Sequence, residues 1–108
     1  MDIQVESRDN RRIVRIKGKV TFEHCPELRS CLDEVIKDIV QEVVIDFRDV
    51  PYIDSSGIGE VLRLLKRMGE FGGSVVLINP NQKLRDLFSM YRFNRFIRIR
   101  DEVEPGSE

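Results

Sequence analysis

From the second apolar run onward, short β-branched segments alternate with segments of helical period, and no other feature constrains the fold as much. Val43-Val44-Ile45-Asp46-Phe47 and Ser74-Val75-Val76-Leu77-Ile78 are runs of strand length with buried-strand composition. Between them the period changes. Leu28, Cys31, Leu32, Val35, Ile36 and Ile39 fall at the spacings of one helix face, so a helix is expected at about 24–39, with Pro26 tolerated in its first turn. Ile58, Val61, Leu62, Leu65 and Met68 mark a second face, stopped by Gly69, Gly72 and Gly73. Asn79-Pro80-Asn81 caps a third helix carrying Leu84, Leu87, Phe88 and Tyr91, and Phe96 to Ile99 reads as a last short strand. Strands separated by helices pair in parallel, through right-handed crossovers.

The N-terminus differs. Ile3 to Ser7 and Val14 to Lys17 each alternate apolar and polar residues around the turn sequence Arg8-Asp9-Asn10-Arg11, which is an antiparallel hairpin ending at Gly18. The expected architecture is a single α/β domain over residues 1–100. It has a mixed, mostly parallel sheet of about five strands, an N-terminal antiparallel hairpin and three or more helices. Residues 101–108 are expected to be an acidic, disordered tail.

Charge and composition narrow the function. The 108 residues carry a formal net charge of −1, so no global field draws the chain to nucleic acid or anionic lipid. No apolar run approaches the ~18 residues of a membrane span, and the expected location is the cytoplasm. Cys25 and Cys31 match neither a zinc framework nor a redox pair, and read as small apolar residues in or beside a helix; His24 stands alone, in a solvent-facing or capping role. There is no Gly-x-Ser-x-Gly elbow and no Gly-Lys-Ser/Thr phosphate loop. With no motif for a nucleophile, metal or cofactor, the chain is expected not to be an enzyme. The basic residues of the last fifth, Lys83, Arg85, Arg92, Arg95, Arg98 and Arg100, read as a solvated face. Tyr52, Phe71 and Tyr91 are expected at the core or its edge.

In open α/β sheets, sites gather where a strand hands over to a helix at its carboxyl end. Here that place is Asp46 to Gly59. Asp54, Ser55 and Ser56 are all good helix N-caps, and Gly57 and Gly59 carry no side chain to hold another backbone away. Two readings stay open on these residues alone. The cluster is a structural cap, or it presents hydroxyls at the positive end of a helix, where a phosphate can be accommodated. A phosphate there would sit beside Asp54 and near Asp46 or Asp49. Arg63, Lys66 and Arg67 are expected on the exposed side of the same helix, beside this surface.

The stretch Val43 to Arg67, built around Ile53-Asp54-Ser55-Ser56-Gly57-Ile58-Gly59, resembles the signature of the STAS domain family, most closely that of bacterial anti-sigma factor antagonists. The hairpin, Gly18, the central strand, the Asp-Ser-Ser-Gly helix start, the Gly-Gly turn and the Leu84–Phe88 helix follow in family order. The resemblance implies that Ser55, directly after the motif aspartate, is phosphorylated, with Ser56 as second choice. It implies that the unphosphorylated protein binds an anti-sigma factor serine kinase of GHKL type and frees a sigma factor. Phosphorylation then releases the kinase, and a PP2C-type phosphatase resets the cycle. Thr21, Glu23, Asp54, Ser55, Ser56, Gly57, Ile58, Gly59 and Arg63 are the residues expected to meet the partner. Family antagonists often carry an acidic residue where this chain has Thr21, with Glu23 two further on. The alternatives are a non-switched STAS scaffold in a stressosome-like or lipid-transport complex, and a nucleotide- or small-ligand-binding domain using Ser55 to Gly59. No cofactor, no metal, no direct nucleic-acid contact and no membrane insertion are expected, and the expected state is a monomer or weak dimer.

Overall fold

A computed structural model describes residues 1–38 and 40–102. Its elements are β1 (Asp2–Arg8), β2 (Arg11–Lys17), a 3-10 turn (Phe22–His24), α1 (Cys25–Val35), β3 (Glu42–Asp49), α2 (Ser55–Glu70), β4 (Ser74–Ile78), α3 (Gln82–Met90), a second 3-10 turn (Phe93–Arg95) and β5 (Arg98–Arg100). The five strands form one sheet in the order β1-β2-β3-β4-β5. β1 and β2 are antiparallel, joined through Asp9 in the left-handed region (φ 52°), and every later pair is parallel.

This order has a consequence for the layers. Each crossover steps one strand further in the same direction, so right-handedness sends all three helices to the same face. The main core accordingly joins Val14, Ile16, Val43, Ile45, Phe47, Val75 and Leu77 of the sheet to buried residues of α1, α2 and α3. In its interior Phe88 stacks on Phe93 with centroids 5.2 Å apart, and Phe47 packs tilted against Phe88 at 5.4 Å. The opposite face carries a small buried strip, Ile13, Val44, Val76 and Ile78. On that face the ion pairs Arg11–Glu42 (3.0 Å) and Arg15–Glu6 (2.9 Å) lay their stems beside it.

Several details depart from the sequence expectation. α1 ends at Val35, and Ile36 is its buried C-cap; Ile39, the last residue expected on that face, lies outside the described residues. On α2 the core leucine is Leu64, 1% exposed, and Leu62 stands at 40% on the surface. β5 starts two residues late, leaving Phe96 exposed and Ile97 buried. Tyr52, Phe71 and Tyr91 stand on the surface, with Lys83 Nζ 5.1 Å from the Tyr52 ring centre. Beyond residue 102, the tail expectation falls outside the described residues.

The α1–α2 seam is ionic. Glu60 is buried on α2, and Arg29 of α1 grips its carboxylate with contacts of 2.7–3.2 Å. One turn on, Arg63 forks onto Asp33 at 2.8 and 3.2 Å, and Arg67 reaches the same carboxylate at 3.4 Å. The hydrogen bonds from Arg63 hold Asp33 below the usual aspartate range. A carboxylate with a depressed folded-state pKa stabilises the fold above its unfolded value, and loses that contribution as pH falls through the folded one. Asp33→Asn is therefore expected to lower stability at pH 7 by no more than about 1 kcal/mol, because the pair is half-exposed. The gap to wild type should close below about pH 4. Urea midpoints measured from pH 7 to pH 2 check this; a gap that persists in acid would show that the charge is not its source.

Candidate functional site

β3 delivers the chain to the carboxyl end of the sheet, and residues 50–54 lead into α2. This loop is zipped to the segment after β2. Val20 N–H donates to the Tyr52 carbonyl (2.9 Å), Asp54 N–H donates to the Val20 carbonyl (3.1 Å), and Val20 bridges Ile53 in parallel. Asp54 completes the join. Its Oδ1 accepts the Gly57 N–H at 3.0 Å, capping α2, and its Oδ2 accepts the Phe22 N–H at 2.9 Å. One carboxylate thus starts the helix and pins a turn 32 residues away in sequence.

Of the three expected N-caps, Asp54 holds that place, in extended backbone (ψ −178°). Ser55 is left at the first helical position, exposed, and no described residue hydrogen-bonds its hydroxyl. Ser56 is half-buried. The two glycines separate in role. Gly59 is exposed, and a Cβ built there meets nothing within 4 Å; at Gly57 a Cβ would lie 2.6 Å from Ile53 Cγ1 and 2.9 Å from Val20 Cγ1. Gly57 therefore admits the domain's own side chains, and Gly59 alone leaves the outer surface bare. Ile58 is buried too.

The structure brings Thr21, Glu23, Asp54, Ser55, Ser56 and Gly59 to one rim. Thr21 Oγ1 lies 3.5 Å from Glu23 Oε1, and Glu23 points into solvent. Arg63 turns to Asp33 on α1. Asp46 is not a neighbour of the serine: strand alternation puts it on the sheet face away from the helices, where it accepts from Arg48 N–H and Asn79 Nδ2. His24 makes no side-chain cap bond and lies 3.7 Å from Glu23. Burial pushes both the Cys25 and Cys31 thiols up, away from reactivity. Among the described residues, no three His, Cys, Asp or Glu side chains gather as a metal site. Among the described residues, no helix is long and apolar enough to cross a membrane.

Sequence reasoning missed the apolar frame. Phe22 and Met90 are 75% and 74% exposed. Phe22 is pinned to Asp54, and Met90 lines a groove of about 300 Å³ with Tyr52, Ser55, Lys83 and Leu87. Leu62 lies two turns along α2 on the face that carries Ser55 and Gly59. The one available signal was Phe22 itself, an apolar residue in a polar stretch with no periodicity to absorb it. An exposed hydroxyl framed by apolar residues has the make-up of a surface that could dock another molecule and that an added charge would disturb.

The sequence pattern defining the STAS domain matches residues 2–105. The anti-sigma-B factor antagonist of Bacillus subtilis is 28% identical over 106 residues, covering 98% of this chain and 96% of that protein. The crystal structure of the Thermotoga maritima protein TM1081 superposes with a TM-score of 0.88 at 20% identity, over 94% of this chain and 87% of that one. The structure of the Bacillus cell fate determinant SpoIIAA in its phosphorylated form gives 0.77 at 21%, over 95% and 93%.

Proposed function

The chain belongs to the STAS domain family, and from that membership we propose that it is an anti-sigma factor antagonist switched at Ser55. In the unphosphorylated state the rim from Thr21 to Glu23 and from Asp54 to Gly59, framed by Phe22 and Met90, docks an anti-sigma factor that is a GHKL-type serine kinase. The sigma factor is thereby freed. The observation that carries this reading is the exposed Ser55 hydroxyl, which Asp54 has relieved of capping. The names of the relatives support it, one an anti-sigma-B factor antagonist and one a phosphorylated determinant.

Phosphorylation adds about −1.5 to −2 charges. The new group stands beside the Asp54 carboxylate, whose Oδ1 already takes the Gly57 N–H. The helix dipole returns only about 0.3–1 kcal/mol of the cost. A loss of about 2.7 kcal/mol at the interface weakens the complex about a hundredfold. The fold keeps its core and the surface loses its partner, until a PP2C-type phosphatase removes the group.

Incubation with the cognate kinase and ATP is expected to add one phosphate by intact mass. Ser55→Ala should abolish the addition, and Ser56→Ala should leave it. Ser55→Ala should still bind the kinase. Phosphate on Ser56, or on neither serine, would overturn the assignment.

A further inference from the structure

We propose that two copies of the chain associate by antiparallel pairing of β1 with β1 across a twofold axis, in a register centred on Val5. The inference does not rest on the function proposed above. β1 is the terminal strand of the sheet, and among the described residues no strand pairs with its outer side. It is paired with β2 along all seven residues, with no bulge. It carries no proline and no lysine. Proline, lysine and bulges are among the devices by which sheet edges are blunted, and the charges this edge does carry, Asp2, Glu6 and Arg8, are of both signs.

The sequence of this edge fits its own reverse. With Val5 opposite Val5, the strand Asp2-Ile3-Gln4-Val5-Glu6-Ser7-Arg8 sets Asp2 against Arg8 at both ends, Gln4 against Glu6, and Ile3 against Ser7. Apolar and polar faces stay in register, and no like charges meet. The two nearest registers that keep the faces aligned fail on charge. Centring on Gln4 puts Asp2 against Glu6 twice, and centring on Glu6 puts Glu6 against itself.

The main chain agrees. Arg8 and Arg11 close a two-residue turn, and such a closing pair bonds inward. Alternation then turns the N–H and C=O groups of Ile3, Val5 and Ser7 outward, giving about six hydrogen bonds across the axis. On the helix side Val5 is 44% exposed at the lip of a groove of about 340 Å³, which Ser7, Cys31 and Val35 also line. A second copy's Val5 would cover that lip. Glu34 of α1 and Asp38, just beyond its end, share the groove with Arg12, which supplies the opposite charge. Arg8 already touches Glu6 within the chain, and the second copy's Asp2 would join that pair on the same sheet face.

Sedimentation equilibrium of the full chain at rising concentration is expected to show mass growing from 12.6 kDa toward twice that value. Asp2→Arg and Arg8→Asp should each weaken the dimer by about tenfold or more, since each sets like charges opposite one another at both ends. The double variant restores both pairs and should regain wild-type association. Val5→Pro removes an outward N–H without touching the β2 ladder, and should leave a monomer. Thermal unfolding of each variant confirms that it is folded. A chain that stays monomeric at millimolar concentration, a dimer indifferent to the single charge swaps, or a double variant that fails to recover would each overturn the proposal.

Discussion

Asp54→Ala is expected to lower the stability of the domain by about 2 kcal/mol and to weaken partner binding by more than stability alone explains. Two interactions are lost at once. The cap on Gly57 N–H contributes about 1 kcal/mol, and the charge-assisted bond to Phe22 N–H adds a similar amount because it is solvent-exposed. Asp54→Asn separates them. An amide offers one oxygen where the carboxylate offers two, so it keeps the cap and places its NH2 against the Phe22 N–H. Its stability should fall about half as far. Both variants release the Phe22 turn and should bind the partner equally badly, because the rim needs the 3-10 turn held against α2. Urea unfolding, with a midpoint shift near 1 M for alanine, and calorimetric titration of the partner check the two parts. If Asn binds like wild type, the Phe22 tether plays no role in docking.

That double role marks the border between what the sequence showed and what it concealed. Strand and helix order was legible because β3 and β4 are runs of a kind that only a buried strand uses, and Asn81 caps α3 as its position implies, its Oδ1 taking Leu84 N–H at 2.8 Å. Asp54, Ser55 and Ser56 were legible as a helix start, but three good caps in a row do not say which one is used. Tertiary contact decides. Only the residue that can also reach Phe22 N–H gains by standing outside the helix, and that is Asp54. The same kind of tie broke the reading of α2. Leu62, Leu64 and Leu65 offer overlapping faces, and the core took Leu64. Glu60, buried on the same helix, breaks the apolar pattern that would have pointed there. Its burial depends on Arg29, 31 residues away, and no local pattern encodes that pair. The end of α1 at Val35 has no glycine or proline to announce it, so periodicity overran it. Long-range polar pairs, in short, set the details that spacing left undecided.

The two motif glycines yield a second large effect, with opposite signs two residues apart. Gly57→Ala is expected to destabilise the fold by about 1–3 kcal/mol, because its Cβ would enter the space of Ile53 and Val20, short β-branched chains buried in the core with little room to give. Gly59→Ala meets open space on an exposed helix surface, so it should stabilise by about 0.5–1 kcal/mol through helix propensity. A larger side chain at Gly59 then uncouples fold from function. Gly59→Trp should unfold no earlier than wild type, since nothing lies within reach of its Cβ. It should nonetheless reduce partner affinity about a hundredfold, by standing proud of the surface between Ser55 and Leu62. Thermal unfolding of the three variants, set beside partner titration, reads both halves. Undiminished partner binding by Gly59→Trp would move the docking surface off this face of α2. Were Gly57→Ala as stable as wild type, the close approach of Ile53 and Val20 could not be what requires glycine at the helix start.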